Sequence, residues 1–329
     1  MKSKIAFRFF CFIVSVGILF PFLNFAQEQT TVSKEEKKAL IEKASKLLNE
    51  NYVFPNVART IEKHLKSQLA KGSFNSISSQ QEFAEKLTAE MQNVSKDKHM
   101  RCFYRSGRVN SPRTNNVPNV ESDYKNLLNS KHFGFIRAGM LENNIGVLDI
   151  YNFPGSDYAK ESVDEAMKIV SSSSAIIIDL RRNGGGSPDC IRYICSYFFE
   201  KPTHINSIYW RSTNETVDFV TLDKVSGKKM ANIPVYVLTS SFTFSGGEEC
   251  AYNFQTQKRG ILIGETTGGG ANPGDIFTLN DDFELFIPTG RAINPITKTN
   301  WEGIGVKPDI EVEISKAFEI ALKMAINKK

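Results

Sequence analysis

Pro234-Val235-Tyr236-Val237-Leu238-Thr239-Ser240-Ser241-Phe242-Thr243-Phe244-Ser245-Gly246-Gly247-Glu248-Glu249 is the stretch that decides the fold of this chain. Its first five residues form an apolar run of strand length. Small residues follow, and Cys250-Ala251-Tyr252-Asn253-Phe254 continues in a helix-compatible composition. A strand that feeds a turn and then a helix is the repeating unit of a layered α/β domain. The same reading puts Ser245 at a helix N-terminus, where unpaired N–H groups and the positive end of the helix dipole meet. Two readings fit that position. Ser245 is an ordinary helix cap, or it is a nucleophile whose developing oxyanion is held by the turn, with Gly246 and Gly247 admitting a substrate carbonyl close to the backbone.

Outward from this unit the texture stays alternating. Strands are expected at 144–150, 175–180, 205–210, 217–222, 234–238 and 260–264, and helices at 157–170, 188–199 and 318–326. A hairpin is expected where Asn280-Asp281-Asp282 separates 276–279 from 283–287. Upstream the pattern changes. Ser33 with Glu36 and Ser79 with Glu82 are capping-box pairs, each placed before a run with helical apolar spacing. A middle run, Val57, Ile61, Leu65 and Leu69, starts after Pro55 and ends at Gly72. Residues 30–96 are therefore expected to form a three-helix bundle ahead of an α/β domain over 97–329. Residues 105–120, rich in Ser, Asn, Pro and Arg, are expected as a loop.

The N-terminus reads as an export signal. Lys2, Lys4 and Arg8 precede the apolar run Phe9 to Phe25, and Asn24-Phe25-Ala26 offers a small-residue cleavage site. An uncleaved anchor is the competing reading, but Pro21 interrupts a run already short for a bilayer. Cleavage of 1–26 would leave a periplasmic or extracellular chain without stable membrane insertion. It would also lower the formal charge from +5 to about +2, which removes any electrostatic case for nucleic acid. Cys102, Cys190, Cys195 and Cys250 fit no zinc spacing and no disulfide framework, so they read as buried small hydrophobes, with room for one disulfide. No metal or cofactor is implied.

A second glycine-rich turn follows the expected strand at 175–180, in Asp179-Leu180-Arg181-Arg182-Asn183-Gly184-Gly185-Gly186. Its spacing matches neither the dinucleotide fingerprint nor the phosphate loop, which leaves an anion-binding turn or a plain tight turn. A serine nucleophile also needs a base, and the histidines are His64, His99, His132 and His204. Composition alone separates them little.

The motifs together resemble the tail-specific, or C-terminal processing, serine peptidases with a tricorn-type core. They look closest to the branch containing the repeats of interphotoreceptor retinoid-binding protein. The matching segments are Tyr52-Val53-Phe54-Pro55, Asp97-Lys98-His99, the turn at 179–186, Thr243 to Glu248, Gly264 to Pro273 and Trp301 to Asp309. The resemblance implies a ClpP/crotonase-like layered core and hydrolysis of peptide bonds in protein or peptide substrates. By position it implies Ser245 as nucleophile, His99 as base, Glu302 as the orienting carboxylate, and Gly246 with Gly185 as oxyanion donors. Glu248, Glu249 and Glu265 compete with Glu302 for the third role. The processing branch uses a lysine base where this chain has Gly270, which disfavours a Ser–Lys dyad. There is no room for a PDZ module between Tyr104 and Gly134. The retinoid-binding relatives imply an alternative, a catalytically silent binding protein for apolar ligands. A weaker reading takes the crotonase-like core as an acyl-thioester holder, for which no cofactor signature is present.

Overall fold

The computed structural model describes residues 31–105, 131–155 and 158–327. The expected signal at 1–26 and nearly all of the expected loop at 105–120 lie outside these residues. Among the described residues no helix is long and apolar enough to cross a membrane.

Three helices open the chain: α1 (Lys34–Asn51), α2 (Pro55–Ala70) and α3 (Gln80–Ser95). Their starts follow the local signals. The Ser33 hydroxyl accepts from the Glu36 N–H at 3.1 Å, Ser79 accepts from Glu82 at 3.4 Å, and Pro55 occupies the first turn of α2. Each such side-chain cap is worth about 1 kcal/mol. The helices share their core with a three-stranded antiparallel sheet of order β1-β11-β10, made of β1 (Arg101–Tyr104), β10 (Gly274–Thr278) and β11 (Phe283–Pro288). The apolar packing is continuous across this junction: Ile41, Leu48, Ile61, Phe83, Leu87 and Met91 pack with Cys102, Phe283, Leu285 and Ile287. The helical region thus buries its apolar faces on strands drawn from both ends of the sequence.

The central sheet has seven strands in the order β13-β9-β8-β5-β4-β3-β2. Five run parallel: β4 (Ile145–Ile150), β5 (Ala175–Asp179), β8 (Val235–Thr239), β9 (Ile261–Gly264) and β13 (Ile310–Glu311). β2 (Lys131–His132) and β3 (Ile136–Leu141) complete it antiparallel. Every residue of β4, β5 and β8 is buried, as parallel strands covered on both faces require. One face lies under α4 (Tyr158–Val170), α5 (Pro188–Ser196) and α6 (Gly246–Thr256), and the other under α7 (Ile314–Asn327). A separate ribbon of order β12-β6-β7 joins β6 (His204–Trp210), β7 (Glu215–Val220) and β12 (Gly290–Ile293).

The strand-rich reading survives with shifted edges. α5 stops at Ser196 rather than 199, because Tyr197 and Phe198 donate three residues back in a tighter turn. α7 starts at Ile314, four residues earlier than its apolar pattern. β1 and β12 carry no local signal, since each exists through a distant partner: Arg101 pairs with Phe286, and Gly290 with Trp210. All four described cysteines are buried and free.

Candidate active site

β5 and β8 are neighbouring parallel strands with Asp179 opposite Leu238. Their carboxyl ends, and so the two glycine-rich turns, emerge at the same edge of the sheet, where open α/β folds bind ligands. Ser245 stands at the N-terminus of α6 with φ 55° and ψ −120°, a conformation that costs on the order of 1–3 kcal/mol for a residue with a side chain. Its N–H donates to the Glu248 carboxylate at 2.8 Å. Glu248 also accepts from Gly269 N–H at 2.6 Å, Gly270 N–H at 2.8 Å and the Thr267 hydroxyl. Glu248 therefore ties the strained turn to the 267–270 loop. Burial pushes its carboxyl up, and these donors oppose the shift.

The second turn presses on the first. A β-carbon on Gly185, whose φ is +111°, would sit 2.7 Å from the Ser245 Cβ and 2.9 Å from Gly246 N. Asn183 locks this approach: its side chain donates to Ile150 O, its backbone carbonyl accepts from Phe244 N–H, and its Oδ1 accepts from Gly185 N–H at 2.8 Å. The Gly185 N–H, expected from the sequence as an oxyanion donor, is thus directed onto Asn183 inside its own turn. Among the described residues, the N–H groups of Gly186 and Gly246 donate to no protein acceptor. They are close together, since a β-carbon on Gly246 would lie 2.9 Å from Gly186 N. Sequence spacing could not separate three adjacent glycines.

His99 reaches this edge from the other direction, in the link between α3 and β1. Its ring lies 4.7 Å from that of Phe244, the neighbour of Ser245, and stacks at 5.8 Å on Phe286. His64 instead pairs with Glu90 on the bundle, His204 with Ser207 on the ribbon, and His132 belongs to β2 at the far edge of the central sheet. The Gly270 position explains the missing lysine in steric terms. Even a β-carbon there would lie 2.3 Å from Phe244 Cζ and 2.7 Å from His99 Cε1.

Glu302 arrives on the segment between β12 and β13, which is fastened to the 267–271 loop. Trp301 Nε1 donates to Gly270 O at 2.9 Å, and Gly303 N–H to Gly269 O at 3.0 Å. The Glu302 carboxylate accepts from Ala271 N–H at 2.6 Å, Asn272 N–H at 3.1 Å and Lys98 N–H at 3.4 Å. Its competitors are engaged elsewhere. Glu265 accepts from the Ser241 N–H and hydroxyl, and Glu249 is buried beside Asn206 and Asn253, its carboxyl pushed up to about 7 by burial.

Asp97 was not among the sequence candidates. It is buried, and it accepts from His99 N–H at 3.1 Å, Asn272 Nδ2 at 2.9 Å and Tyr52 hydroxyl at 3.2 Å. Donor or acceptor atoms of Asp97, His99 and Glu302 all lie within 4.8 Å of one another. The carboxylate oxygens already receive amide, phenol and side-chain donors, which suits a proton network better than a cation. Burial, then the charge of Asp97, pushes Glu302 up to about 7, and burial pushes Asp97 up as well. Two full charges about 5 Å apart repel by about 3 kcal/mol at a protein-like dielectric. The local signal was the Asp97-Lys98-His99 triplet, but its spacing alone assigns the aspartate no task.

A strained serine at a helix N-terminus, a glycine turn pressed against it and a half-buried histidine packed on Phe244 thus share one edge of the sheet. The peptidase family S41 model matches residues 144–312. The chain belongs to this family. A model of the N-terminal domain of peptidase S41 in eukaryotic interphotoreceptor retinoid-binding protein matches residues 23–131. The carboxyl-terminal-processing peptidase 2 of Arabidopsis thaliana chloroplasts is 26% identical over 175 residues, which make up 52% of this chain and 32% of that protein. The match thus spans about a third of that relative's length. Among solved structures, a peptidase-like protein from Parabacteroides merdae superposes with TM-score 0.65 at 18% identity, covering 89% of this chain and 98% of the other. The photosystem II D1 C-terminal processing protease superposes with TM-score 0.52 at 13% identity, covering 86% and 94%. At these identities the structural likeness shows the fold, a helical region followed by the same layered core.

Proposed function

We propose that this member of the S41 family is an exported serine endopeptidase that cleaves extended protein or peptide tails through Ser245, His99 and Glu302. The observation that carries the reading is Ser245 itself, held at left-handed φ beside two N–H groups without protein acceptors. In the reaction His99 takes the Ser245 hydroxyl proton as Oγ bonds to the scissile carbonyl carbon. The carbonyl oxygen gains the negative charge and is met by the N–H groups of Gly246 and Gly186. The tetrahedral centre collapses, the C–N bond breaks, and His99 returns its proton to the leaving amine. Water then repeats the sequence on the acyl-enzyme ester, releasing the acid and restoring Ser245. Glu302 acts on the imidazole by favouring the imidazolium formed in each half.

Covalent capture tests this reading. A fluorophosphonate probe is expected to label the purified chain once, at Ser245, and to leave Ser245→Ala unlabelled. No labelling of the folded wild type would instead support the silent apolar-binding reading. Export rests on Lys2, Lys4 and Arg8 ahead of the apolar run to Phe25. N-terminal sequencing of the secreted form, expected to start at Gln27, checks it; an intact N-terminus retained in the cytoplasm refutes it.

A further inference from the structure

We propose that Asp97 is a positioning residue of the hydrolytic site, forming with Glu302 a carboxylate pair that holds one shared negative charge beside the His99 ring. The inference rests on the peptidase reading for its consequence in catalysis, and on geometry for the pair itself.

The two carboxylates approach from opposite directions in sequence and are joined by common donors. Asn272 gives its backbone N–H to Glu302 and its side-chain N–H to Asp97. The 98–99 backbone divides in the same way, Lys98 N–H to Glu302 and His99 N–H to Asp97. Both acids stand within 4.8 Å of each other and of a His99 ring nitrogen. Asp97 is almost wholly buried, at 1% exposure. Two ionised carboxylates in such a site oppose one another, so a single proton distributed over the pair is the low-energy state. The remaining charge faces His99 whichever oxygen carries the proton.

The other titratable groups facing the pair fit this assignment. Tyr52 donates its hydroxyl to Asp97, and its own phenol is driven upward by burial and by both acids. The Lys98 ammonium is directed away, to Gly268 O at 2.6 Å, so it does not neutralise the pair. Glu248 belongs to the neighbouring amide cluster around Gly269 and Gly270.

The consequence is redundancy. With one acid neutralised the other can ionise fully and still oppose the imidazolium. Asp97→Asn is therefore expected to lower kcat about tenfold or less with KM little changed, and Glu302→Gln about a hundredfold, while the double variant falls well below their product. The decisive measurement follows the Glu302 carboxyl carbon by NMR on ¹³C-glutamate-labelled protein, with Glu302→Gln supplying the assignment. In the wild type this carbon is expected to titrate near neutral pH. In Asp97→Asn its midpoint should fall by at least one pH unit. Tyr52→Phe, which keeps the ring but removes the donor to Asp97, should move the proton toward Asp97 and lower the same midpoint by less.

A Glu302 midpoint unchanged in both variants overturns the pair, whatever the activity. A lowered midpoint in a chain that no fluorophosphonate labels keeps the pair and overturns the peptidase reading. Additive losses in the double variant also count against shared charge. A purely packing role for Asp97 would reduce stability without moving the Glu302 titration.

Discussion

The two halves of the site are built on different physics. On the serine side, the turns at 183–186 and 243–247 meet at contact distances that leave no room for a β-carbon, and Ser245 is forced into a strained conformation. On the histidine side, the ring has aromatic neighbours, one buried acid and one half-buried acid, and its surroundings are set by charge and by long-range amide donors. The serine half comes from sterics within two short motifs on adjacent parallel strands. The histidine half is assembled from segments around residues 52, 97–99, 270–272 and 302. Added volume is what breaks the steric half, whereas loss of both charges is what breaks the electrostatic half.

The largest expected effect breaks the serine half. Ser245→Ala should lower kcat/KM by about 10⁴-fold or more while thermal unfolding stays near wild type, since only a hydroxyl is lost. Residual cleavage of an unfolded protein substrate near the wild-type rate would remove Ser245 from the mechanism. Next comes the steric contact itself. Gly185→Ala places a methyl 2.7 Å from the Ser245 Cβ at a φ of +111°. It should reduce kcat by about 10²-fold and destabilise by about 2 kcal/mol. Equal activity and melting temperature for this variant would show that the two turns are not in rigid contact.

A smaller effect sharpens the comparison by separating buried charge from catalysis. Glu249 is buried on α6, and its carboxyl is pushed up to about 7. Its folded pKa lies above its unfolded value, so its contribution is fully present below about pH 4.5 and is lost as pH rises through about 7. Glu249→Gln should therefore raise stability at pH 8 by about 1–3 kcal/mol and leave it nearly unchanged at pH 5. Denaturant titrations at the two pH values check this; the opposite ordering would mean that Glu249 gains a favourable partner when ionised. The smallest expected effect is none. Lys258 lies past the end of α6, beside Pro234, Val235 and Gly260 near the start of β8, the end of the strand remote from Ser245. Lys258→Ala should keep wild-type kcat/KM, and a dead variant would return the base to a lysine.

Much of the serine half was legible in the sequence. The apolar run at 235–238, the small-residue turn and the helix start are local, and the Ser33 and Ser79 hydroxyls cap their helices by accepting from Glu36 and Glu82 N–H. The hairpin about Asn280 also follows from local chemistry, with the Asn280 side chain accepting from Asp282 and Phe283 N–H groups. Which of three neighbouring glycines offers its N–H was not legible, because the answer depends on where the Asn183 side chain turns. The residue identities Asp97, His99 and Glu302 could be read from the chain, and resemblance to known peptidases selected two of them.

What the sequence by itself determined is the helices, the main parallel strands from β4 to β9 and the small-residue turn before Ser245, because periodicity, caps and glycines act over a few residues. The tertiary structure alone decided that β1 would seek β11, that the space at Gly270 would be filled by Phe244 and His99, and that Asp97 would come within 4.8 Å of Glu302. Those outcomes depend on burial and on charges brought together from more than two hundred positions apart. Interactions of that kind have no local periodicity to read: their energy exists only once the chain has closed and water has been excluded.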